Sequence, residues 1–378
     1  MAVHGAIGDD GTQASTPEPG HHLHYRMRCY DFPDSSASVT VRDLPDGRRR
    51  VSVDAGPATP ATPLFIAQHE CETNYPLELI ELVLDVKGPG WVCDEISREE
   101  RPDYVRRTLY WTICSHIDET EAAGRRILDY GCGSGASTMV LARMFPRSEI
   151  VGIDIDARSL DIARARLAFY GYENVTFRLA SSASSTPEEL GRFHFVTFSA
   201  LYEHLLPDER RSILPAVWRS LEPGGVLFVA ETPHRYWPIE AHTTGLPLIN
   251  YLPDTLTLRV VHLAARRGET GRPWSELLRA GIRGGTEEQF VAQLAPPGAA
   301  RPEVLRPTRL GLRDEFDLWY AISGSAGRRR VKRTLASMLR ALKRLTGISL
   351  VPYIAFAVRK STNPVNTTPA TSPGPLAA

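Results

Sequence analysis

The chain has 378 residues, with 44 Lys plus Arg against 44 Asp plus Glu and a formal net charge of zero. Nothing in that balance argues for nucleic acid, which usually demands a basic surface, and the length exceeds one α/β core, so one main domain with sizeable additions is expected. The longest nearly apolar run, 348–358, is interrupted by Ser349 and Pro352 and falls well short of the roughly 20 residues that span a bilayer.

The first stretch, 1–20, is polar and rich in Gly, Pro, Ser and Thr, which reads as a disordered tail rather than a secretory signal. A second such tail covers 361–378. Five cysteines (Cys29, Cys71, Cys93, Cys114, Cys132), odd in number and without a C-x-x-C pair, read as reduced thiols of a cytoplasmic protein. His21, His22 and His24, and likewise His69 with Cys71, lack a second ligand pair at zinc spacing, so no metal site is expected.

Residues 21–120 read as an N-terminal hairpin and helical cap. Ser38–Val41 alternates, Pro45, Asp46 and Gly47 make a turn, and Val51–Val53 returns. A helix starts at Pro76 and ends near Gly88. A second is predicted from Ser97 to about Ile117, opened by Ser97 and Glu100 at capping-box spacing.

The core, 121–245, is built around 126–144. Ile127 and Leu128 form a strand that runs through Asp129 into a turn with Gly131, Cys132, Gly133 and Gly135, and then into a helix. Glycines there let the backbone bend and let a ligand approach closely, and the free NH groups of the following helix favour an anionic group. Two cofactor patterns are satisfied: G-x-G-x-x-G/A of dinucleotide enzymes through Gly131, Gly133 and Ala136, and acid-x-G-x-G-x-G through Asp129, Gly131, Gly133 and Gly135. One strand later Asp154 stands 23 residues beyond Gly131, placed to accept from both hydroxyls of a ribose, with Asp156 the near alternative.

The second pattern resembles motif I of the class I S-adenosylmethionine (SAM) dependent methyltransferases. Two further passages carry the resemblance: S-A-x-x-E-H-L from Ser199 to Leu205 after a fourth strand (Phe193–Ser199), and L-x-P-G-G from Leu221 to Gly225, read as a helix end capped by a left-handed glycine. The resemblance implies a doubly wound α/β Rossmann-like sheet of about seven strands whose last strand, within 348–358, is antiparallel and at the sheet edge. It implies SAM as cofactor and Asp129, Gly131, Cys132, Gly133, Gly135, Asp154, Ile155, Ser181, Ser182, Ser199 and Ala200 around it. Ala180, Ser181 and Ser182 stand where many relatives carry an acid for the adenine amino group, a departure a serine hydroxyl or a carbonyl could make good. Helices upstream of motif I often cover the cofactor in this family.

The segment after strand five concentrates titratable side chains, and its H-T-T-G-L-P passage (His242 to Pro247) resembles a bacterial subgroup of the family. Methyl transfer to a hydroxyl needs a base beside the acceptor. His242 is the first candidate, followed by His204, Glu203 and His234; the other reading has His242 and Thr243 only knitting the loop. Residues 246–327 read as a lid or substrate-recognition insertion, whose Arg266, Arg267, Arg272, Arg279 and Arg283 either meet an anionic acceptor or form a solvated face. Within 328–360 a basic helix, 328–345, puts Val331, Leu335, Met338, Leu342 and Leu345 on one face; it reads either as a contact to an anionic membrane or lipid-linked acceptor, or as a helix packed on the sheet. The functional expectation is methyl transfer from SAM to an oxygen, less readily a nitrogen, of a small or medium acceptor. Its rivals are a nicotinamide oxidoreductase and a catalytically silent SAM-binding or membrane-associated accessory protein.

Overall fold

Period-2 alternation organises the N-terminal part of the computed structural model, which describes residues 26–33, 35–56, 64–180, 190–264, 271–295, 301–323 and 328–362. Residues 1–20 and 363–378 of the expected tails, His21, His22, His24, Ser181, Ser182, Arg266 and Arg267 lie outside these residues. The predicted hairpin is β2 (Ala37–Asp43) with β3 (Arg49–Asp54), paired Val39 to Val53 and Val41 to Val51. Two more antiparallel strands join it, β1 (Met27–Phe32) and β4 (Glu70–Thr73), giving four strands in chain order. Their valines pack one face against Leu79, Ile80 and Val83 of α1 (Leu77–Lys87) and Cys93 and Ile96 of α2 (Val92–Glu100).

The helix predicted from Ser97 is two helices, α2 and α3 (Val105–Cys114). Pro102 explains the break, since the residue before a proline is driven out of the helical region, and Arg101 is extended with ψ 123°. Ser97 accordingly lies buried inside α2 and does not cap a helix start.

The central sheet holds β5 (Arg126–Tyr130), β6 (Glu149–Asp154), β7 (Val175–Leu179), β8 (Phe193–Ser199), β9 (Leu221–Pro233), β10 (Glu303–Leu305) and β11 (Tyr353–Arg359), in the order β10-β11-β9-β8-β5-β6-β7. Strands β5 to β9 pair in parallel, and β11 pairs antiparallel with β9. The expected final strand is therefore present and antiparallel, but β10 lies outside it at the edge. Alternate residues feed two cores: Leu128, Val196 and Leu227 face α6 (Pro207–Ser220) and α9 (Glu287–Leu294), while Ile127, Ile150 and Phe228 face α3, α4 (Ala136–Met144) and α5 (Ala157–Tyr170).

The P-G-G passage does not cap α6. That helix ends at Ser220 with Leu221 already extended, and Gly224 (φ +80°) turns within β9, where the register jumps from Phe193–Leu221 to Phe195–Val226.

Beyond β9, Ile249, Val261, Leu277 and Ile282 form their own small cluster with α7 (Asp254–Ala264) and α8 (Trp274–Arg279). By contrast, Phe290 of α9 and Phe316 of α10 (Glu315–Ile322) sit in the main core. The basic helix is α11 (Arg329–Thr346). It packs through Ala336 and Leu339, and most of the predicted apolar stripe (Val331, Met338, Leu342, Leu345) is exposed. Among the described residues no helix is long and apolar enough to cross a membrane.

Candidate active site

The glycine turn follows β5, whose neighbours β6 and β8 lie on opposite sides and are reached by crossovers running in opposite directions. Ligands of doubly wound sheets bind at such a switch point. Asp129 sets the turn from beneath. Its carboxylate is 2% exposed and accepts from the hydroxyls of Ser137 (2.6 Å), Thr138 (2.7 Å) and Thr197 (2.9 Å). Burial holds its pKa above the usual carboxylate range against the pull of those three donors. Asp129 thus ties β5 to α4 and β8, and its oxygens face protein hydroxyls, so it positions the loop.

Gly135 and Gly133 are required for different reasons. Gly135 (φ +80°) lets α5 approach, because a Cβ there would stand 2.8 Å from the Ala163 Cβ. Gly133 (φ +53°) has nothing within 4 Å of its missing Cβ, so its Hα side opens to the space a cofactor needs. Cys132 instead turns its thiol into the protein, where burial pushes its pKa up, leaving only its backbone for the loop.

Asp154 faces this turn. One carboxylate oxygen accepts from the Gly133 NH (2.7 Å) and the other from the Asp156 NH (2.9 Å). Asp156 is committed elsewhere, as the N-cap of α5. Ile155 and Leu179, at the carboxyl ends of β6 and β7, are 56% and 50% exposed. A carboxylate to accept from ribose hydroxyls, flanked by two uncovered apolar side chains for a purine, is a lining that fits the adenosine of SAM. Asp154→Ala is expected to raise the SAM dissociation constant about 10- to 100-fold, from the roughly 1.5–3 kcal/mol of a hydrogen bond to a charged group. Isothermal calorimetry checks it, and an unchanged constant would place the ribose elsewhere.

Two helices upstream of the turn make contacts to it and to the end of β9. Glu95 of α2 accepts from the Ser134 hydroxyl, and Thr108 of α3 donates to Glu231 at 3.2 Å. Glu231, which the sequence reading did not single out, also accepts from Ser199 at 3.2 Å. Ala200 (φ +50°) and Glu231 (φ +61°) both hold left-handed backbone at the ends of β8 and β9, a strain that clusters at functional sites. Only its place at a strand's carboxyl end could have flagged Glu231.

Three of the four predicted acid-base residues come together. Glu203 and His204 lie on a 3-10 turn (Tyr202–His204) after β8, and donor atoms of Glu203, His204 and His242 all lie within 4.8 Å of one another. Leu201, two residues before Glu203, packs over Gly131, which sets the cluster beside the glycine turn. Glu240 presents His242: its buried carboxylate accepts from the backbone NH of His242 (2.9 Å), Thr243 (2.9 Å) and Thr244 (2.6 Å). The His242 ring lies over Gly281, where a Cβ would come 2.4 Å from the ring. His204 Nδ1 stands 2.7 Å from the Arg279 carbonyl, which assigns the proton to Nδ1 and a lone pair to Nε2. Burial lowers the His204 pKa, keeping it neutral near pH 7.

His234 stands apart. Its Nδ1 accepts from the Tyr236 NH (3.1 Å), so its Nε2 donates to the Ser349 carbonyl (3.1 Å), tying the loop to the segment before β11. Nor do the described lid arginines converge on the site. Arg279 pairs with Glu209, Arg272 with Glu276, and buried Arg283 with Asp254 and two carbonyls.

Glu203 is fully buried, and burial pushes its pKa up to about 8. Its folded pKa is above the unfolded value near 4.3, so this group's contribution to stability is complete below that value and lost as pH rises through about 8. With EDTA present, Glu203→Gln should therefore remove a decline of up to about 1.4 kcal/mol per pH unit between pH 5 and 8. Urea unfolding of both proteins across that range checks this, and parallel pH curves would refute it.

Such a glycine turn, facing aspartate and acid-base cluster define a nucleoside-cofactor-binding α/β enzyme domain. The methyltransferase-domain family profile matches residues 127–225. Trans-aconitate 2-methyltransferase of Methylobacterium radiotolerans is 38% identical over 30% of this chain and 42% of its own length. Demethylmenaquinone methyltransferase of Lactococcus lactis is 31% identical over 35% and 52%, and the ubiquinone biosynthesis O-methyltransferase of Xanthomonas oryzae 34% identical over 43% and 61%. The chain thus spans about half the length of the curated relatives it matches. Among solved structures, human N-acetylserotonin methyltransferase in complex with SAM aligns over 75% of this chain and 56% of its own at 13% identity and TM-score 0.37. Residues 127–225 are thus a domain of the class I SAM-dependent methyltransferase type, for which SAM is the cofactor.

Proposed function

We propose that this chain moves the methyl group of SAM to an oxygen, in preference to a nitrogen, of a small or medium acceptor. The observation that carries the reading is the Glu203–His204–His242 cluster beside the glycine turn. SAM supplies an electrophilic methyl group. A hydroxyl acceptor must lose its proton as it attacks, whereas a neutral amine already offers a lone pair, so a neutral imidazole beside the acceptor supports oxygen. Glu240 and Gly281 fix His242 in place, and positioning of this kind does much of the work in an in-line displacement. A small cleft lined by Trp237, Ile239, Asn250, Ile282 and Tyr353 shares Glu240 and Ala241 with the turn that presents His242.

The relatives act on different acceptors by name, trans-aconitate, demethylmenaquinone and a ubiquinone precursor among them, and two of the three names fit an oxygen acceptor. Five free thiols support the cytoplasmic location expected from the sequence. Calorimetry with SAM and with NAD, followed by mass spectrometry of extracts supplied with methyl-labelled SAM, tests the proposal. A labelled methyl ether or ester supports it. NAD binding in place of SAM, or SAM binding without any labelled product, would return the oxidoreductase or the silent accessory protein.

A further inference from the structure

We propose that Glu203, His204 and His242 form a binding site for one divalent metal ion of the zinc type, with a coordination position left open to the acceptor. The donors come from two segments 38 residues apart in the chain, which is why ligand spacing in the sequence gave no metal signal. Glu203 Oε1 is buried, has no hydrogen-bond donor among the described residues, and faces His204 Nε2 at 3.9 Å. That separation is too long for a hydrogen bond. The Arg279 carbonyl holds the His204 proton on Nδ1, so the atom facing Oε1 carries a lone pair. A buried carboxyl oxygen without a partner is unfavourable, and once its proton is lost a positive charge between it and the Nε2 lone pair would satisfy both.

A metal ion supplies that charge at suitable distances. With bonds near 2.1 Å, tetrahedral ligation sets donors about 3.4 Å apart, so the pair needs to close by only about half an ångström. The supporting contacts of a metal site are present as well: Thr232 donates to the other Glu203 oxygen (3.1 Å), the Arg279 carbonyl accepts from His204, and Glu240 braces the His242 turn. Two imidazoles and one carboxylate select zinc, cobalt or iron over magnesium or calcium, which prefer oxygen-only shells. Three protein ligands leave a position for a hydroxyl, whose proton a bound cation makes easier to lose. The inference deepens the proposed function at the same site, but ion binding is measured without SAM or acceptor, so either can fail alone.

The full chain, stripped with EDTA, is titrated with cobalt(II) and then zinc, followed by visible absorption and calorimetry. One equivalent of cobalt with the strong absorption of a low-coordinate site, displaced by zinc, is expected. His204→Ala and His242→Ala should each weaken binding at least about 10-fold, while SAM affinity, measured in parallel, shows that the variants are folded. A chain with His21, His22 and His24 all changed to alanine should bind as the parent does. Binding untouched by His204→Ala and His242→Ala, binding lost with the N-terminal histidines, or no binding would overturn the site.

A different observation carries a second proposal. On α11, Val331 (67% exposed), Met338 (64%) and Leu345 (85%) recur every seven residues on an uncovered face. Arg329, Arg330, Arg333 and Arg344 have no acidic partner among the described residues, whereas Arg340 and Lys343 are neutralised by Asp314, Asp317 and Glu315. We infer that this face rests on an anionic phospholipid surface, since unpaired basic charge beside exposed apolar side chains matches acidic headgroups over acyl chains. The helix leads into β11, whose first residue, Tyr353, pairs with Pro233 and lines the small cleft beside the His242 turn, so the contact would hold that turn near the bilayer. Co-sedimentation with phosphatidylserine vesicles but not phosphatidylcholine vesicles is expected, lost in Val331→Glu/Met338→Glu/Leu345→Glu with SAM affinity retained. Equal sedimentation of the triple variant, no sedimentation, or a dimer in sedimentation velocity that the same variant dissociates would overturn it.

Discussion

Alanine in place of His242 is expected to lower methyl transfer by about 10²- to 10⁴-fold, the usual contribution of a positioned base, with SAM affinity held within about twofold. The separation of effects follows from how the residue is held. The turn is fixed by Glu240 through backbone NH groups and by the Thr243 hydroxyl on the Ala280 carbonyl (2.8 Å), none of which involves the imidazole. Gly133 and Asp154, the contacts expected for the cofactor, belong to other elements. Steady-state kinetics with calorimetry on the same preparation reads both quantities. Undiminished turnover would remove His242 from catalysis, and a parallel loss of SAM affinity would show that the ring is structural. The expectation is the same whether the ring takes the proton itself or helps to hold an ion that acidifies the acceptor.

The second large effect concerns stability. Arg166→Met is expected to destabilise the fold by about 3–5 kcal/mol, the cost of leaving a buried charge without its partner. Arg166 is completely buried. Its guanidinium donates to the Glu95 carboxylate (3.0 Å), the Glu95 carbonyl (2.8 Å), the Ser134 carbonyl (2.8 Å) and the Tyr75 hydroxyl (2.9 Å). It therefore bolts α2 and the N-terminal unit to α5 and holds the glycine turn through Ser134. The charged pair raises the Arg166 pKa and lowers that of Glu95, each working against burial. Urea unfolding measures the loss, and SAM affinity should fall with it because the turn loses a support. Arg166→Met/Glu95→Gln should recover part of the stability, since no orphaned carboxylate remains. A loss under about 1 kcal/mol in the single variant would show that the pair is not a structural charge.

The sequence by itself determined what local backbone chemistry determines. Alternation placed β2 and β3, apolar and β-branched runs placed the core strands, and the glycines of the turn and Asp154 one strand later marked the end of the sheet expected to hold the cofactor. Pro102 was also in plain sight, yet the capping-box spacing of Ser97 and Glu100 outweighed it. What only the tertiary structure decided are the partners of buried polar groups. Asp129 looked like a cofactor ligand until α4 and β8 brought three hydroxyls to it. His234 looked like a base until Ser349, 115 residues away, occupied it. The apolar stripe of α11 gave no hint that Ala336 and Leu339 would meet the core and leave Val331 and Leu345 in solvent. Periodicity and turn chemistry act over a few residues and are written in the chain, whereas which distant groups satisfy a desolvated charge depends on how the packed segments fit together.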